Sequence, residues 1–145
     1  MIIVKECKTG GFWGVYYNNM KITVEIQNFS KEELQCKCGC KRYNVDNEFL
    51  IRAQAYRYML GLMMKVTSCG RCVKHNKEVG GAANSCHECE TKAATAMDFY
   101  CSNMKKAYDL ACSSGLFNEV IWYTKKHFIH IGLDRKQKEN YFAIN

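Results

Sequence analysis

Two histidines and one aspartate have the residue types of an open metal site. His87 and Asp98 stand eleven positions apart, and His130 follows in a later apolar run. A catalytic zinc ion takes three protein ligands and keeps one position open. With two imidazoles and one carboxylate it stays positively charged and can polarise a carbonyl group and acidify water. His87, Asp98 and His130 are therefore candidate ligands, although a single histidine on a strand is more often an ordinary hydrogen-bonded residue, and Asp98 could cap a helix.

Four cysteines in the same region suggest a different metal site. The pairs Cys69/Cys72 and Cys86/Cys89 are two Cys-x-x-Cys motifs separated by thirteen residues, a spacing close to that of a zinc ribbon. In a chain of net charge +7, a ribbon would favour a nucleic-acid-binding or interaction module. That hypothesis leaves the histidines and Asp98 without a role. The flanking sequence also lacks the mixture of aromatic and basic residues that a base-stacking surface needs.

The ten cysteines leave further alternatives open. Some of them could form disulfides or a second, structural metal site that braces the loops around a catalytic zinc, and the others could be buried thiols that pack as small hydrophobic groups. The sequence does not assign pairs. The cysteines concerned are Cys36, Cys38, Cys40, Cys69, Cys72, Cys86 and Cys89.

The elements around these candidates predict an α+β fold. Ser30 and Glu33 have the spacing of a capping box, and Asp46 is a candidate N-cap for the clearest helical pattern. The antiparallel sheet is expected to be small, with helices packed on one face and the site on the other. The predicted helices span residues 47–64 and 102–115, and the predicted strands span residues 65–68, 96–99, 119–123 and 128–133, the last two as a hairpin.

Composition sets the broad class of the protein. With 145 residues and 48% hydrophobic content, we expect a monomer with one domain, in which residues 1–27 form an N-terminal β arm or hairpin and residues 28–145 form the main body. No apolar run is long enough to span a bilayer, and no secretory signal is visible. We therefore expect synthesis in the cytoplasm. Because the sequence argues against the zinc ribbon, we also expect no nucleic-acid partner. The positive charge would suit an anionic surface.

Several motifs, taken in order, resemble one known group of enzymes. The chain is similar to the zinc D-alanyl-D-alanine carboxypeptidases and the phage L-alanyl-D-glutamate endopeptidases (endolysins), which have the Hedgehog/DD-peptidase fold. The resemblance covers residues 28–133. Its motifs are NFS at 28–30, CKCGC at 36–40, VTSCGRC at 66–72, HN at 75–76, VGGA at 79–82, NSCH at 84–87, AMDF at 96–99 and FIHI at 128–131.

The resemblance implies a role for each candidate. His87, Asp98 and His130 would bind Zn²⁺, Arg71 would bind the substrate and Ser85 would support the site. The substrate would be a peptidoglycan stem peptide, cut by carboxypeptidase or endopeptidase action after the protein reaches the cell wall, as phage lysins do.

Two features depart from the family pattern. The family usually has a shorter step between its first histidine and its aspartate, so the loop at 88–95 is longer here. Many members also carry a glutamate base three residues before the last histidine, where this chain has His127. His127, Glu119 or Glu88 would then serve as the base. If none of them does, the chain would be a weak or inactive member that binds cell wall or a partner protein.

Overall fold

The computed structural model describes residue 26 and residues 28–145, together with the backbone of three strands closer to the N-terminus. These strands, β1 (Ile2–Glu6), β2 (Trp13–Tyr17) and β3 (Met20–Val24), form an antiparallel sheet in the order β1-β2-β3. They lie within residues 1–27, for which the sequence predicted a β arm or hairpin. That this segment belongs to the same domain as the rest stays a prediction.

A second sheet of five strands carries the candidate residues. Its order is β4-β5-β7-β6-β8, and every neighbouring pair is antiparallel except β6 and β8, which are parallel. The predicted antiparallel sheet is present in β4 to β7, and the C-terminal strand adds a parallel edge beside β6 that makes the whole sheet mixed. The strands are β4 (Lys65–Ser68), β5 (Ala96–Tyr100), β6 (Glu119–Tyr123), β7 (Phe128–Gly132) and β8 (Tyr141–Ile144).

The helices begin at the polar caps that the sequence indicates. In the capping box, the Glu33 N–H donates to Ser30 Oγ at 3.2 Å and the Ser30 N–H donates to Glu33 Oε2 at 3.0 Å. Asp46 Oδ1 accepts from the Phe49 N–H at 2.9 Å at the start of α2. The helices are α1 (Lys31–Leu34), α2 (Asn47–Leu60), α3 (Val73–Glu78) and α4 (Met104–Ser113).

Two helices end where glycine permits a left-handed backbone. Gly61 has φ +63° and stops α2 at Leu60, four residues before the predicted end of that helix at residue 64. Gly115 has φ +69° just after α4, as the sequence predicted. Glycine adopts this conformation at little cost because it has no Cβ atom. None of the described helices is both long and apolar enough to cross a bilayer.

The core lies between one face of the five-stranded sheet and the helices. Alternate residues of β5 and β7, Met97 and Phe99 with Ile129 and Ile131, are fully buried there. Tyr56 of α2 packs in the same core, and its hydroxyl donates to the carbonyl oxygen of residue 107 in α4 at 2.6 Å. Because side chains alternate along a strand, the residues between these core positions face the opposite side, which the helices leave uncovered. The predicted α+β fold is confirmed.

Candidate metal centre and active site

The uncovered face of the sheet places Asp98 and His130 side by side. They are direct partners across β5 and β7, and His130 Nδ1 lies 2.8 Å from Asp98 Oδ1. Both side chains are buried, since only 5% of Asp98 and 9% of His130 is exposed. The antiparallel register thus aims an imidazole nitrogen and a carboxylate oxygen at the same point.

His87 reaches that point from a loop. Its Nε2 lies 3.1 Å from Asp98 Oδ1 and 3.1 Å from His130 Nδ1. The other ring nitrogen, Nδ1, lies 2.7 Å from the Cys69 carbonyl oxygen. The loop is held in place by the Ser85 hydroxyl, which accepts from the His87 N–H at 3.2 Å. Ser85 therefore helps to position His87, and its predicted supporting role in the site stays a prediction.

The hydrogen bonds on the far side of each ring show that the three atoms suit a cation. A carbonyl oxygen can only accept, so His87 Nδ1 carries the hydrogen and Nε2 presents a lone pair. In the same way, Glu119 Oε2 lies 3.1 Å from His130 Nε2 and favours a free lone pair on His130 Nδ1. Two imidazole nitrogens and a carboxylate oxygen thus converge within 4.8 Å of one another. This donor set fits a catalytic zinc ion.

The electrostatics of the three residues agree with that interpretation. Burial lowers the pKa of His87, so its ring is neutral. Burial alone would raise the pKa of Asp98, but the two histidines outweigh it and hold that pKa well below the usual range. Burial would lower the pKa of His130, but hydrogen bonds to Asp98 and Glu119 raise it to about 9. The carboxylates of Asp98 and Glu119 thus stabilise positive charge at the position where the donor atoms converge.

Arg71 holds the other oxygen of the Asp98 carboxylate. Its Nη2 donates to Asp98 Oδ2 at 2.8 Å, and its Nε donates to Ser68 Oγ at 2.8 Å. Asp98 therefore points Oδ1 toward the histidines while Oδ2 is fixed by a buried ion pair. Arg71 also lines the cleft above the site. Its predicted contact with substrate would be additional to this positioning role.

Arg71→Ala is expected to weaken zinc binding about 10–100-fold, the usual effect of losing a residue that orients a metal ligand. The reason is that Asp98 Oδ2 would lose its charged partner and the carboxylate would be free to turn. Competition with a fluorescent chelator measures the zinc affinity. Lys126→Ala is the matched control, because it removes a cleft-lining cation that forms no ion pair with Asp98. Unchanged zinc affinity with a raised KM would mean that Arg71 acts on substrate alone.

A comparison with protein families agrees with this geometry. The sequence profile of the family described as Peptidase M15 matches residues 27–132. The chain belongs to the peptidase M15 family. The match includes His87, Asp98 and His130 and ends before β8. No curated protein matches the chain significantly.

The three candidate bases of this M15 family member occupy very different places. Glu119 lines the cleft and contacts His130, and its hydrogen bond from His130 lowers its pKa. His127 is exposed in the β6–β7 turn with φ +54° and is not among the described residues that line the cleft. The Glu88 carboxylate instead accepts from the N–H and the hydroxyl of Thr91, at 2.8 and 2.6 Å. Of the three, only Glu119 lines the cleft, and which of them is the base stays a prediction.

The loop between His87 and Asp98 is held against the body of the protein by backbone hydrogen bonds. The Ala94 N–H donates to the Asn44 carbonyl oxygen and the Asp46 N–H donates to the Ala94 carbonyl oxygen, each at 2.9 Å. A parallel bridge joins Val45 and Ala94. The extra residues are accommodated before Ala96, where β5 begins, so the register that places Asp98 opposite His130 is unaffected.

A cleft of about 550 Å³ opens above the three donors. Its walls are the glycine-containing segment 79–85 and side chains of the β6–β7 hairpin. Tyr123 and Lys126 line it although the sequence did not single them out. The alternation of side chains along β6 could have indicated that Tyr123 lines the cleft. Glu119, Ile121 and Tyr123 share the strand face opposite the buried Val120.

Gly81 is required by close packing in the wall of this cleft. A Cβ atom at this position would lie 2.1 Å from Asn76 Oδ1. Asn76 is buried, and its Nδ2 donates to the Ala82 carbonyl oxygen at 2.9 Å. Its Oδ1 also lies 3.5 Å from Arg71 Nη1. Any side chain at residue 81 would displace the asparagine that connects the cleft wall to Arg71.

Gly81→Ala is therefore expected to lower the free energy of unfolding by about 1–3 kcal/mol, as overpacking does. Urea denaturation of the zinc-free protein measures it. Gly80→Asn is the matched control, since Gly80 has φ +71° with nothing near its Cβ position and asparagine tolerates that backbone conformation. Equal losses for the two variants would show that the contact with Asn76 is not what destabilises Gly81→Ala.

The zinc-ribbon hypothesis does not agree with the structure. Among the described residues, the groups able to hold a metal do not include Cys69, Cys86 or Cys89. Cys69 instead supplies the carbonyl oxygen that orients His87. Cys72 lies with three cysteines from an earlier loop. The spacing of the two Cys-x-x-Cys motifs was misleading because their four sulfur atoms do not converge.

Proposed function

We propose that this chain is a zinc metallopeptidase that hydrolyses the stem peptides of peptidoglycan, as a carboxypeptidase or an endopeptidase. The observation that supports this most strongly is the convergence of His87 Nε2, Asp98 Oδ1 and His130 Nδ1 below a cleft in a member of the peptidase M15 family. The sequence resemblance to cell-wall peptidases gives the substrate class.

The chain's own residues would hold the metal and keep it reactive. His87, Asp98 and His130 would bind zinc, which supplies polarisation of the scissile carbonyl group and acidifies water. The Cys69 carbonyl oxygen holds the His87 ring in the tautomer that leaves one nitrogen free for the metal, and Glu119 does the same for the His130 ring. The three protein ligands leave room on the cleft side for substrate.

Proton transfer is assigned to Glu119. A general base must lie within reach of the reacting water and substrate, and Glu119 lines the cleft and contacts the metal-ligand candidate His130. The lowered pKa keeps its carboxylate ionised at neutral pH. Arg71 and Lys126 both line the cleft, and their positive charges would attract a carboxylate of the peptide.

The charge of the chain suits the same substrate. A net charge of +7 favours association with an anionic cell wall. Synthesis in the cytoplasm followed by action on the wall after release stays a prediction, as does the monomeric state.

The test is digestion of purified peptidoglycan and soluble stem peptides, followed by mass spectrometry of the products. We expect new peptide termini, their loss with a chelator, and their return when zinc is added back. Loss of a terminal D-alanine would indicate a carboxypeptidase, and a cut between L-alanine and D-glutamate would indicate an endopeptidase. Zinc-loaded protein that binds peptidoglycan without cutting it would overturn the enzyme proposal in favour of a binding protein with the same fold.

A further inference from the structure

A second group of metal-binding side chains lies away from the cleft. Cys36, Cys38 and Cys40 follow α1, and Cys72 is the N-cap of α3. Their four sulfur atoms all lie within 4.8 Å of one another. We propose that these four cysteines bind a structural zinc ion, separate from the metal of the proposed active site.

The distances between the sulfur atoms suit a shared ion. Cys36 Sγ lies 3.5 Å from Cys38 Sγ, and Cys38 Sγ lies 3.7 Å from Cys72 Sγ. Four thiolates at about 2.3 Å from a tetrahedral zinc are about 3.8 Å apart. A disulfide would bring two sulfur atoms to about 2.0 Å. The arrangement is therefore that of four ligands around one ion.

The backbone supports negative charge on two of these sulfur atoms. The Cys72 N–H donates to Cys36 Sγ, and the His75 N–H donates to Cys72 Sγ, both at 3.4 Å. Such donors orient and stabilise thiolate ligands. The Cys36 N–H also donates to the Arg42 carbonyl oxygen at 2.9 Å. That bond closes the loop that carries three of the four ligands.

Burial does not account for all four thiols. Cys36 and Cys72 are buried, but Cys38 and Cys40 are exposed, so hydrophobic packing explains only half of the cluster. Three cysteines lie within five residues on a tight loop and converge with Cys72. This arrangement is the one that a metal site requires. Four protein ligands with no open position make a structural site rather than a catalytic one.

The position of the cluster connects it to the cleft. Cys72 follows Arg71 directly, and the neighbouring Gly70 N–H donates to the Leu34 carbonyl oxygen at 3.0 Å. A zinc ion bound by the four cysteines would link the loop after α1 to the turn that carries Arg71. It would thereby stabilise the position of Arg71 without contacting the substrate.

The test is the metal content of the full chain, purified under reducing conditions. We expect two zinc ions per wild-type chain and one in the Cys38→Ser/Cys40→Ser variant, whose substituted side chains are exposed and outside the core. His87→Ala should also retain one, and the combined variant none. Cys112→Ser, a partly buried cysteine outside the cluster, should retain two.

Cobalt substitution distinguishes the two sites by their ligands. We expect thiolate-to-cobalt charge-transfer absorption in wild type and in His87→Ala, and its loss in Cys38→Ser/Cys40→Ser. His87 is not a ligand of the cysteine cluster, so the absorption in His87→Ala reports on the cysteine site alone. Failure of the structural zinc site can therefore be distinguished from failure of the proposed active site. Wild-type zinc content in the folded double cysteine variant, or a disulfide within the cluster after purification with reductant, would overturn the structural zinc site.

Discussion

His87→Ala is expected to remove the zinc of the active site and to lower kcat/KM by at least about 10³-fold. The lost ligand is buried and points Nε2 at Asp98 and His130, so no solvent-exposed group can replace it. Several kcal/mol of transition-state stabilisation would disappear with the metal, and about 1.4 kcal/mol corresponds to a factor of ten. Peptide release from peptidoglycan, measured together with zinc content, checks this result.

The control variant is His75→Ala, which removes a histidine on α3 that belongs to neither metal group. We expect it to retain wild-type activity. His87→Ala also leaves the Cys69 carbonyl oxygen without its partner, which should cost about 1–3 kcal/mol of stability. Circular dichroism of both proteins without zinc therefore has to show a folded chain. A folded His87→Ala variant with normal activity would contradict the assigned metal site.

The strand part of the site could be predicted because its pattern is local. Asp98 and His130 each lie between apolar residues in a short run, and alternation places them on the face opposite the core. Their pairing could not be read in the same way. Which strand lies beside β5 depends on contacts between segments far apart in the chain, and the structure places β7 there.

The elements that were missed have weak local signals. The N-cap of α3 is Cys72, which is not among the residues that usually begin helices. β8 contains Tyr141, Phe142 and Ile144, which are largely exposed, so no buried face marks it as a strand. Its parallel pairing with β6 is again a long-range contact. The sequence left a second metal site open but could not assign its cysteines for the same reason, because Cys72 joins a loop more than thirty residues earlier.

Glu119→Gln is expected to lower kcat about 10²–10⁴-fold at saturating zinc, the usual contribution of a general base. Glutamine is the informative substitution because its side-chain oxygen can still accept from His130 Nε2 and keep that ring oriented. The variant loses only the ability to take up a proton. Full recovery of activity at high zinc would show that Glu119 merely positions His130, since orientation of a ligand affects metal affinity rather than the saturated rate.

His127→Asn is the matched test of the competing base. His127 is exposed in the turn with φ +54°, a conformation that asparagine tolerates, so the turn should be preserved. We expect kcat to stay within about twofold of wild type, because typical base effects are far larger. If His127→Asn instead lost activity while Glu119→Gln retained it, the turn would have to close over the cleft during catalysis. The proton would then pass to the residue that stands where other members of the family carry a glutamate.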